Sequence, residues 1–119
     1  MFRYLYIISI LFLFSCKSDG ELSMERGIHY YDWKMYNEAI LEFNKSKFYY
    51  MSKNNKSYED IKLLAQTHYN LSIAYAKLGI YKIAYQEAQY AVSLIPNQEY
   101  REVLDLISHK IIELQPAQN

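Results

Sequence analysis

The sequence predicts an all-α fold built from antiparallel helical hairpins, and three observations in the second half of the chain support this prediction. Leu71, Tyr75 and Leu78 recur at the spacing that places side chains on one face of a helix. Gly79 follows them, and glycine adopts the left-handed conformation that ends a helix at little energetic cost. The next segment contains small residues, which let two helices pack closely, and it ends at Pro96, which stops a helix. These small residues are Ala84, Ala88 and Ala91.

At the N-terminus, residues 1–15 have the layout of a secretory signal peptide. One basic residue, Arg3, precedes an apolar run from Tyr4 to Phe14, and the small residue Ser15 follows the run. The run has about 11 residues, whereas a membrane-spanning helix needs roughly 20. We therefore expect this segment to direct export rather than to remain as a transmembrane helix.

The only cysteine of the chain, Cys16, directly follows the predicted signal peptide. Together with Leu13 and Ser15 it resembles a bacterial lipoprotein signal, although Phe14 is larger than the residue usually found at its position. The resemblance implies cleavage before Cys16, acyl chains on its sulfur and amino terminus, and a location on a bacterial envelope membrane. Residues 16–20 would then form only a short tether. The alternative is an incidental cysteine, but an internal disulfide is excluded and a catalytic thiol at a cleavage site is not expected.

Residues 21–114 are predicted to form one helical domain with two copies of the hairpin pattern. The first copy contains Gly27, Tyr30, Tyr36, Ala39 and Phe43. The second contains Leu71, Tyr75, Gly79, Tyr81, Ala84, Ala91 and Pro96. This order resembles the tetratricopeptide repeat, a helical hairpin of 34 residues. The resemblance implies a scaffold that binds proteins.

Each copy departs from the family pattern at different positions. In the second copy, His68, Ser72 and Ala88 stand where the family usually has Trp, Gly and Phe. The first copy supplies that Gly and Phe, but its positions for Trp, Leu and Pro are filled by Ser23, Arg26 and Met51. The two copies therefore complement each other.

The spacing between the copies is longer than in the family. Tyr36 and Tyr81 lie 45 residues apart, and the excess over 34 is about three helical turns. We expect the extra length to extend the end of the second helix, Lys47 to Met51, and the start of the third, Tyr58 to Leu63. A long loop is the alternative.

Local signals favour the longer helices. Asn54 and Asn55 are typical of a turn, and Ser57 with Asp60 three residues later has the pattern of an N-terminal helix cap.

A closing helix is predicted after Pro96. Its apolar stripe consists of Tyr100, Val103, Leu104, Ile107, Ile111 and Leu114. The charged residues Arg101, Glu102, Asp105 and Glu113 lie mostly away from that stripe. Because a helical repeat array needs a terminal element with a polar outer face, we expect this helix to close the domain. Residues 115–119 are expected to form a frayed tail.

The composition favours one small domain without a nucleic-acid-binding surface. The chain from Cys16 onward has 104 residues, with 12 basic and 13 acidic side chains. Nucleic-acid binders usually carry a concentrated basic face, and we expect no such partner here. One local positive stretch contains Lys45, Lys47, Lys53 and Lys56. We interpret it as a solvated tip, with contact to anionic lipid or peptide as the alternative.

No catalytic, cofactor-binding or metal-binding pattern is found in the sequence. The three histidines, His29, His68 and His109, are about 40 residues apart, unlike metal ligands. The three glycines form no phosphate-binding loop. Glu38 and Glu42 are interpreted as a solvated helix face, and Glu59 and Asp60 as a helix start, where negative charge offsets the helix dipole. We therefore expect neither enzymatic activity nor a cofactor.

The tetratricopeptide resemblance also implies a groove, lined by the first helix of each hairpin, that binds a partner peptide or helix. Alignment places Met24, Ile28 and Tyr31 from the first copy and Tyr69, Asn70, Ile73 and Lys77 from the second along this groove. Twelve of the 14 tyrosines lie outside the signal peptide, more than so small a core can bury with every hydroxyl bonded. The alternative for Ile28 and Ile73 is packing against neighbouring helices.

Two functional hypotheses follow from the sequence. The first is a lipid-anchored adaptor that holds a protein or peptide partner at the bacterial envelope. The second is a structural subunit that associates with further copies of itself, since two repeats are fewer than the three or so that usually make a stable array.

Overall fold

The computed structural model describes residues 16–116, and in this part of the chain five α-helices occur and no strand. Helix α1 spans Asp19–Asp32, α2 Tyr36–Met51, α3 Tyr58–Lys77, α4 Tyr81–Leu94 and α5 Gln98–Leu114. Helices α1 and α2 form one antiparallel hairpin and α3 and α4 a second; α2 packs on α3, and α5 packs on α4. The all-α prediction is confirmed. The predicted signal peptide and the last three residues of the tail lie outside the described residues.

The turns inside the two hairpins have the same backbone conformation. Lys34 has φ +60° and Gly79 has φ +74°, and these two left-handed residues lie 45 positions apart. In each turn the next residue donates its N–H to the carbonyl of a tyrosine in the preceding helix: Met35 to Tyr30 at 2.8 Å, and Ile80 to Tyr75 at 3.0 Å. The spacing predicted from Tyr36 and Tyr81 is therefore a structural period.

The long second and third helices are present as predicted. Helix α2 has 16 residues and α3 has 20, and only residues 52–57 connect them. The Ser57 hydroxyl accepts the Asp60 backbone N–H at 3.1 Å, and the Asp60 carboxylate accepts the Ser57 N–H at 2.9 Å. This reciprocal cap satisfies two backbone groups at the start of α3. The long-loop alternative is excluded.

Helix α1 begins earlier than the predicted boundary at residue 21. The Ser18 hydroxyl accepts the Glu21 N–H at 3.2 Å, so Ser18 caps a helix that already includes Asp19 and Gly20. Gly20 lies against α2, where an added Cβ would stand 2.9 Å from Cζ of Tyr50. Only Lys17 therefore lies between Cys16 and the capping residue Ser18.

The core of the first hairpin forms around Phe43. A Cβ on Gly27 would lie 2.5 Å from the Phe43 ring, so α1 and α2 can approach this closely only because Gly27 has no side chain. The ring is buried with Met24, Ala39, Leu71 and Ala74. A second cluster joins Ala84 and Ala88 of α4 to Ile107 of α5. Close packing at the predicted alanines is confirmed.

The outer face of α5 is polar apart from three exposed apolar side chains. Ile107 is buried, but Leu114 is 66% exposed although it was placed in the apolar stripe. Leu106 and Ile112 are also exposed, at 67% and 64%. The physical reason is that, among the described residues, α5 packs on α4 and on the edge of α3 alone, which leaves its far side open. The charged residues Arg101, Glu102, Asp105 and Glu113 are all exposed as expected, so only the placement of Leu114 in the packed stripe was wrong.

Substitutions at the two left-handed positions should have opposite effects. Gly79→Val should lower the free energy of unfolding by about 1–2 kcal/mol or more, because a β-branched side chain is strained at positive φ. Lys34→Gly should keep it unchanged or raise it by up to about 1 kcal/mol, since the same strain is relieved. Urea denaturation followed by circular dichroism measures both. An unchanged stability in Gly79→Val would contradict the strain argument.

Candidate partner-binding pocket

Four of the seven predicted groove residues surround one pocket of about 250 Å³. Ile28 and Tyr31 contribute from α1, Asn70 and Ile73 from α3, and Phe43 of α2 completes the lining. The pocket therefore lies between the first helices of the two hairpins, next to the core ring of Phe43. Its surface is mainly apolar. From the sequence, Phe43 was placed in the repeat pattern alone, and its position in the pocket lining was missed because the groove alignment covered only first helices.

Met24 lies in the core rather than on an open groove surface. Its side chain is 5% exposed and belongs to the cluster around Phe43. Its sulfur accepts the Asn70 side-chain N–H at 3.2 Å. Met24 therefore supports the pocket by positioning Asn70, and its predicted place along the groove is corrected.

Tyr69 and Lys77 do not line the pocket. The Tyr69 hydroxyl donates to Glu99 at 2.9 Å, and its ring stacks on Tyr100 with centroids 4.7 Å apart. Burial and the Glu99 carboxylate raise the pKa of Tyr69 to about 12, so the hydroxyl keeps its proton. Tyr69 thus connects α3 to α5. Lys77 is exposed in the last turn of α3.

The pocket combines an apolar surface with two groups that can form hydrogen bonds. The Asn70 amide bonds a thioether sulfur, which is a weak acceptor, so a carbonyl oxygen could replace it with a gain in bond strength. Tyr31 is half-buried and packs edge-on against Tyr36, with ring centroids 5.3 Å apart. Burial raises the pKa of Tyr31, which keeps its hydroxyl a donor. The site can therefore hold an apolar side chain and bond the backbone beside it.

Glu42 and Glu87 are buried, and each accepts hydrogen bonds from two basic side chains. The Glu42 carboxylate accepts from Arg26 and from Lys45, both at 3.0 Å. The Glu87 carboxylate accepts from His68 Nδ1 at 2.6 Å and from Lys47 at 3.0 Å. The interpretation of Glu42 as part of a solvated face was wrong. The two glutamates lie 45 residues apart, so the internal repeat was the signal that could have paired them.

These bonds determine the charge of both carboxyl groups. Burial by itself would raise the pKa of Glu87, but the hydrogen bonds from His68 and Lys47 outweigh it and lower that pKa. For Glu42 the same opposition between burial and the bonds from Lys45 and Arg26 also gives a lowered pKa. Lys47 lies on α2, His68 on α3 and Glu87 on α4. The Glu87 cluster therefore joins the two hairpins, and two of its three helices, α2 and α3, also line the pocket.

The positive stretch near residues 45–56 is engaged in local bonds. Lys45 and Lys47 bond the two buried glutamates, and Lys53 bonds Asp60 at 2.8 Å. Lys56 donates to the backbone carbonyl of Lys53 at 2.9 Å and to that of Met51 at 3.2 Å. These partners offset most of the positive charge at this tip.

Neither a metal-binding cluster nor a membrane-spanning helix occurs among the described residues. Within residues 16–116, no group of three or more His, Cys, Asp and Glu side chains could hold a metal ion. None of the five helices is long and apolar enough to cross a membrane. Cys16 is exposed, two residues before the cap of α1. Neither a protein-family model nor a curated protein matches the chain.

The buried Glu87 cluster should make stability depend on pH. The pKa of Glu87 in the folded protein lies below the ordinary value of 4.5, so the ionised carboxylate stabilises the fold above about that pH. This stabilisation is lost as the pH falls through the lowered pKa. Glu87→Gln should cost about 1–3 kcal/mol at pH 7 and flatten the acid-side loss of stability.

Urea denaturation at several pH values between neutrality and strong acid measures this effect. Glu38→Gln is the matched control, since Glu38 is an exposed glutamate in the first turn of α2. Parallel pH curves for wild type and Glu87→Gln would contradict the assignment.

Proposed function

We propose that this chain is a tetratricopeptide-type lipoprotein that acts as a protein-binding adaptor in the bacterial cell envelope. In this proposal residues 1–15 direct export, Cys16 carries the lipid anchor, and the pocket between α1 and α3 binds a partner peptide or helix. The observation that carries the adaptor function is the convergence of Ile28, Tyr31, Asn70 and Ile73 on one apolar pocket.

The size of the pocket favours a peptide over a free small molecule. Sites for small molecules usually enclose roughly 300–1,000 Å³, and this pocket has about 250 Å³. That volume suits one large apolar side chain of a longer ligand. Helical and extended peptides commonly insert single apolar anchors into such pockets while their backbones run outside. The Asn70 amide is in position to bond that backbone.

The short tether supports anchoring close to a membrane. Only Lys17 separates Cys16 from the residue that caps α1. An acylated Cys16 would therefore hold the helical domain against the lipid surface. The apolar run before Cys16 would serve as the export signal.

A structural subunit that self-associates is the second candidate, and the outer face of α5 favours it. Leu106, Ile112 and Leu114 are each about two-thirds exposed on the last helix of the described residues. A further helix from another copy could cover these side chains. A molecular mass that rises with concentration would support this candidate.

The adaptor proposal predicts a difference between two isoleucines of equal exposure. Ile28 lines the pocket and is 38% exposed, whereas Ile83 on α4 is 40% exposed and lies outside it. For peptides selected from a displayed library on the wild-type protein, Ile28→Asp should weaken binding about ten-fold or more. Ile83→Asp should leave the dissociation constant nearly unchanged.

Fluorescence anisotropy of the labelled peptides gives these constants, and circular dichroism confirms that both variants fold. Equal losses in the two variants, or none in Ile28→Asp, would refute pocket binding.

The anchor is tested by the intact mass of the full chain recovered from membranes of a bacterial host. We expect loss of residues 1–15 and addition of acyl chains, both abolished in Cys16→Ala. An unmodified full-length mass would remove lipidation from the proposal while leaving peptide binding intact.

A further inference from the structure

The end of the domain next to Cys16 exposes three large side chains of apolar or aromatic type. Phe48 is 74% exposed, Met51 55% and Tyr58 70%. Burying such side chains is favourable because it removes apolar surface from water. We call this surface, formed by Phe48, Met51 and Tyr58, the Cys16 end.

Contacts between three helices place these residues at one end of the domain. Gly20, at the start of α1, lies against Tyr49 and Tyr50, at the end of α2. Lys53, just after α2, bonds Asp60 in the first turn of α3 and lies 5.8 Å from the Tyr49 ring centroid. The start of α1, the end of α2 and the start of α3 therefore lie together at the end of the domain that is closest to Cys16.

The chain that precedes this end is strongly apolar in sequence. The run from Tyr4 to Phe14 is almost wholly apolar and ends two residues before Cys16. If acyl chains replace this run, or if the run itself remains, the membrane is brought to the start of α1. We propose that the Cys16 end is a membrane-contacting surface, with Phe48, Met51 and Tyr58 inserted at the boundary between lipid headgroups and acyl chains.

This inference extends the proposed anchor and rests on it for attachment. Aromatic rings are favoured at the membrane interface, where an apolar body and a polar tip are both accommodated. The lysines closest to Phe48 in the sequence, Lys45, Lys47 and Lys53, all bond carboxylates, and Lys56 bonds two backbone carbonyls. Apolar insertion rather than attraction to anionic lipid is therefore the source of the contact, and vesicles of neutral phosphatidylcholine should suffice.

The opposite end of the domain provides a native control. Trp33, the only tryptophan, follows the last residue of α1 and is 67% exposed. With 14 residues, α1 separates it from the Cys16 end by about 20 Å. Leu41, 59% exposed on α2, lies about 10 Å from Phe48 along the same face. Positions 33, 41 and 48 thus report three heights above the proposed lipid surface.

The test is quenching of tryptophan fluorescence by brominated lipid. The full chain from a bacterial host is reconstituted in phosphatidylcholine vesicles, with and without brominated acyl chains. The emission of the wild type comes from Trp33. The variants Phe48→Trp and Leu41→Trp each also carry Trp33→Phe, so that each has one tryptophan. All these side chains are exposed, so the substitutions should leave the fold intact. Vesicle flotation and intact mass report attachment and lipidation separately.

We expect the emission at position 48 to fall about two-fold and shift to the blue, because an interfacial side chain lies roughly 5–10 Å deep. Quenching should be weaker at position 41 and absent at position 33. A chain that floats with the vesicles but shows no quenching at 48, or equal quenching at 33 and 48, overturns this surface and leaves the anchor standing. A chain that does not float overturns both, and a need for anionic phosphatidylglycerol overturns the apolar contact.

Discussion

The close approach of α1 to α2 at Gly27 is the constraint on which the rest of this structure depends. Because Gly27 has no side chain, the Phe43 ring can lie where a Cβ would otherwise stand 2.5 Å away. The ring then reaches the core formed with Leu71 and Ala74 of α3, which joins the first hairpin to the second. The residue after Gly27, Ile28, enters the pocket beside the same ring. One packing contact therefore supports both the core and the candidate site.

The second hairpin reaches a similar arrangement by different chemistry. The positions equivalent to Gly27 and Phe43 hold Ser72 and Ala88, both buried. A glycine facing a large ring is therefore replaced by two small side chains. Hydrogen bonds that converge on Glu87 from α2 and α3 add attachment at this level. Such a bonded carboxylate is tolerated in a buried site because its partners offset the cost of removing it from water. Apolar packing around Phe43 and the hydrogen bonds of Glu87 therefore both stabilise the arrangement of helices α1 to α4.

Local signals explain what the sequence could predict. Gly79, Pro96 and the pair Ser57 and Asp60 act on the backbone of their immediate neighbours, and each ends or starts a helix as expected. The left-handed Lys34 carries no such signal, since lysine has no preference for positive φ. Its conformation becomes predictable only when the 45-residue period aligns it with Gly79.

The features that the sequence did not predict depend on contacts between helices that are distant in sequence. Glu42 is buried because Arg26 of α1 crosses to it, and Met24 is buried because Phe43 and Leu71 close around it. A helical pattern states which face a residue is on, but not which neighbour covers that face. The exposure of Leu114 has the same origin, since nothing in the described part of the chain packs beyond α5. Pocket membership was predictable for Ile28 and Ile73, whose positions follow directly from the hairpin repeat.

The pocket and the Cys16 end lie at different heights along the helices, so the domain could contact a membrane and a partner at the same time. The Cys16 end lies at the start of α1, whereas Ile28 stands about 13 Å along the axis of that helix. On α3, which runs in the same direction, Asn70 and Ile73 are likewise in the second half of the helix. A domain standing on its Cys16 end would therefore hold the pocket clear of the lipid headgroups. The extra turns of α2 and α3, which make the period 45 residues, supply part of that separation, so the lengthened repeat has a direct consequence for how a partner could be reached.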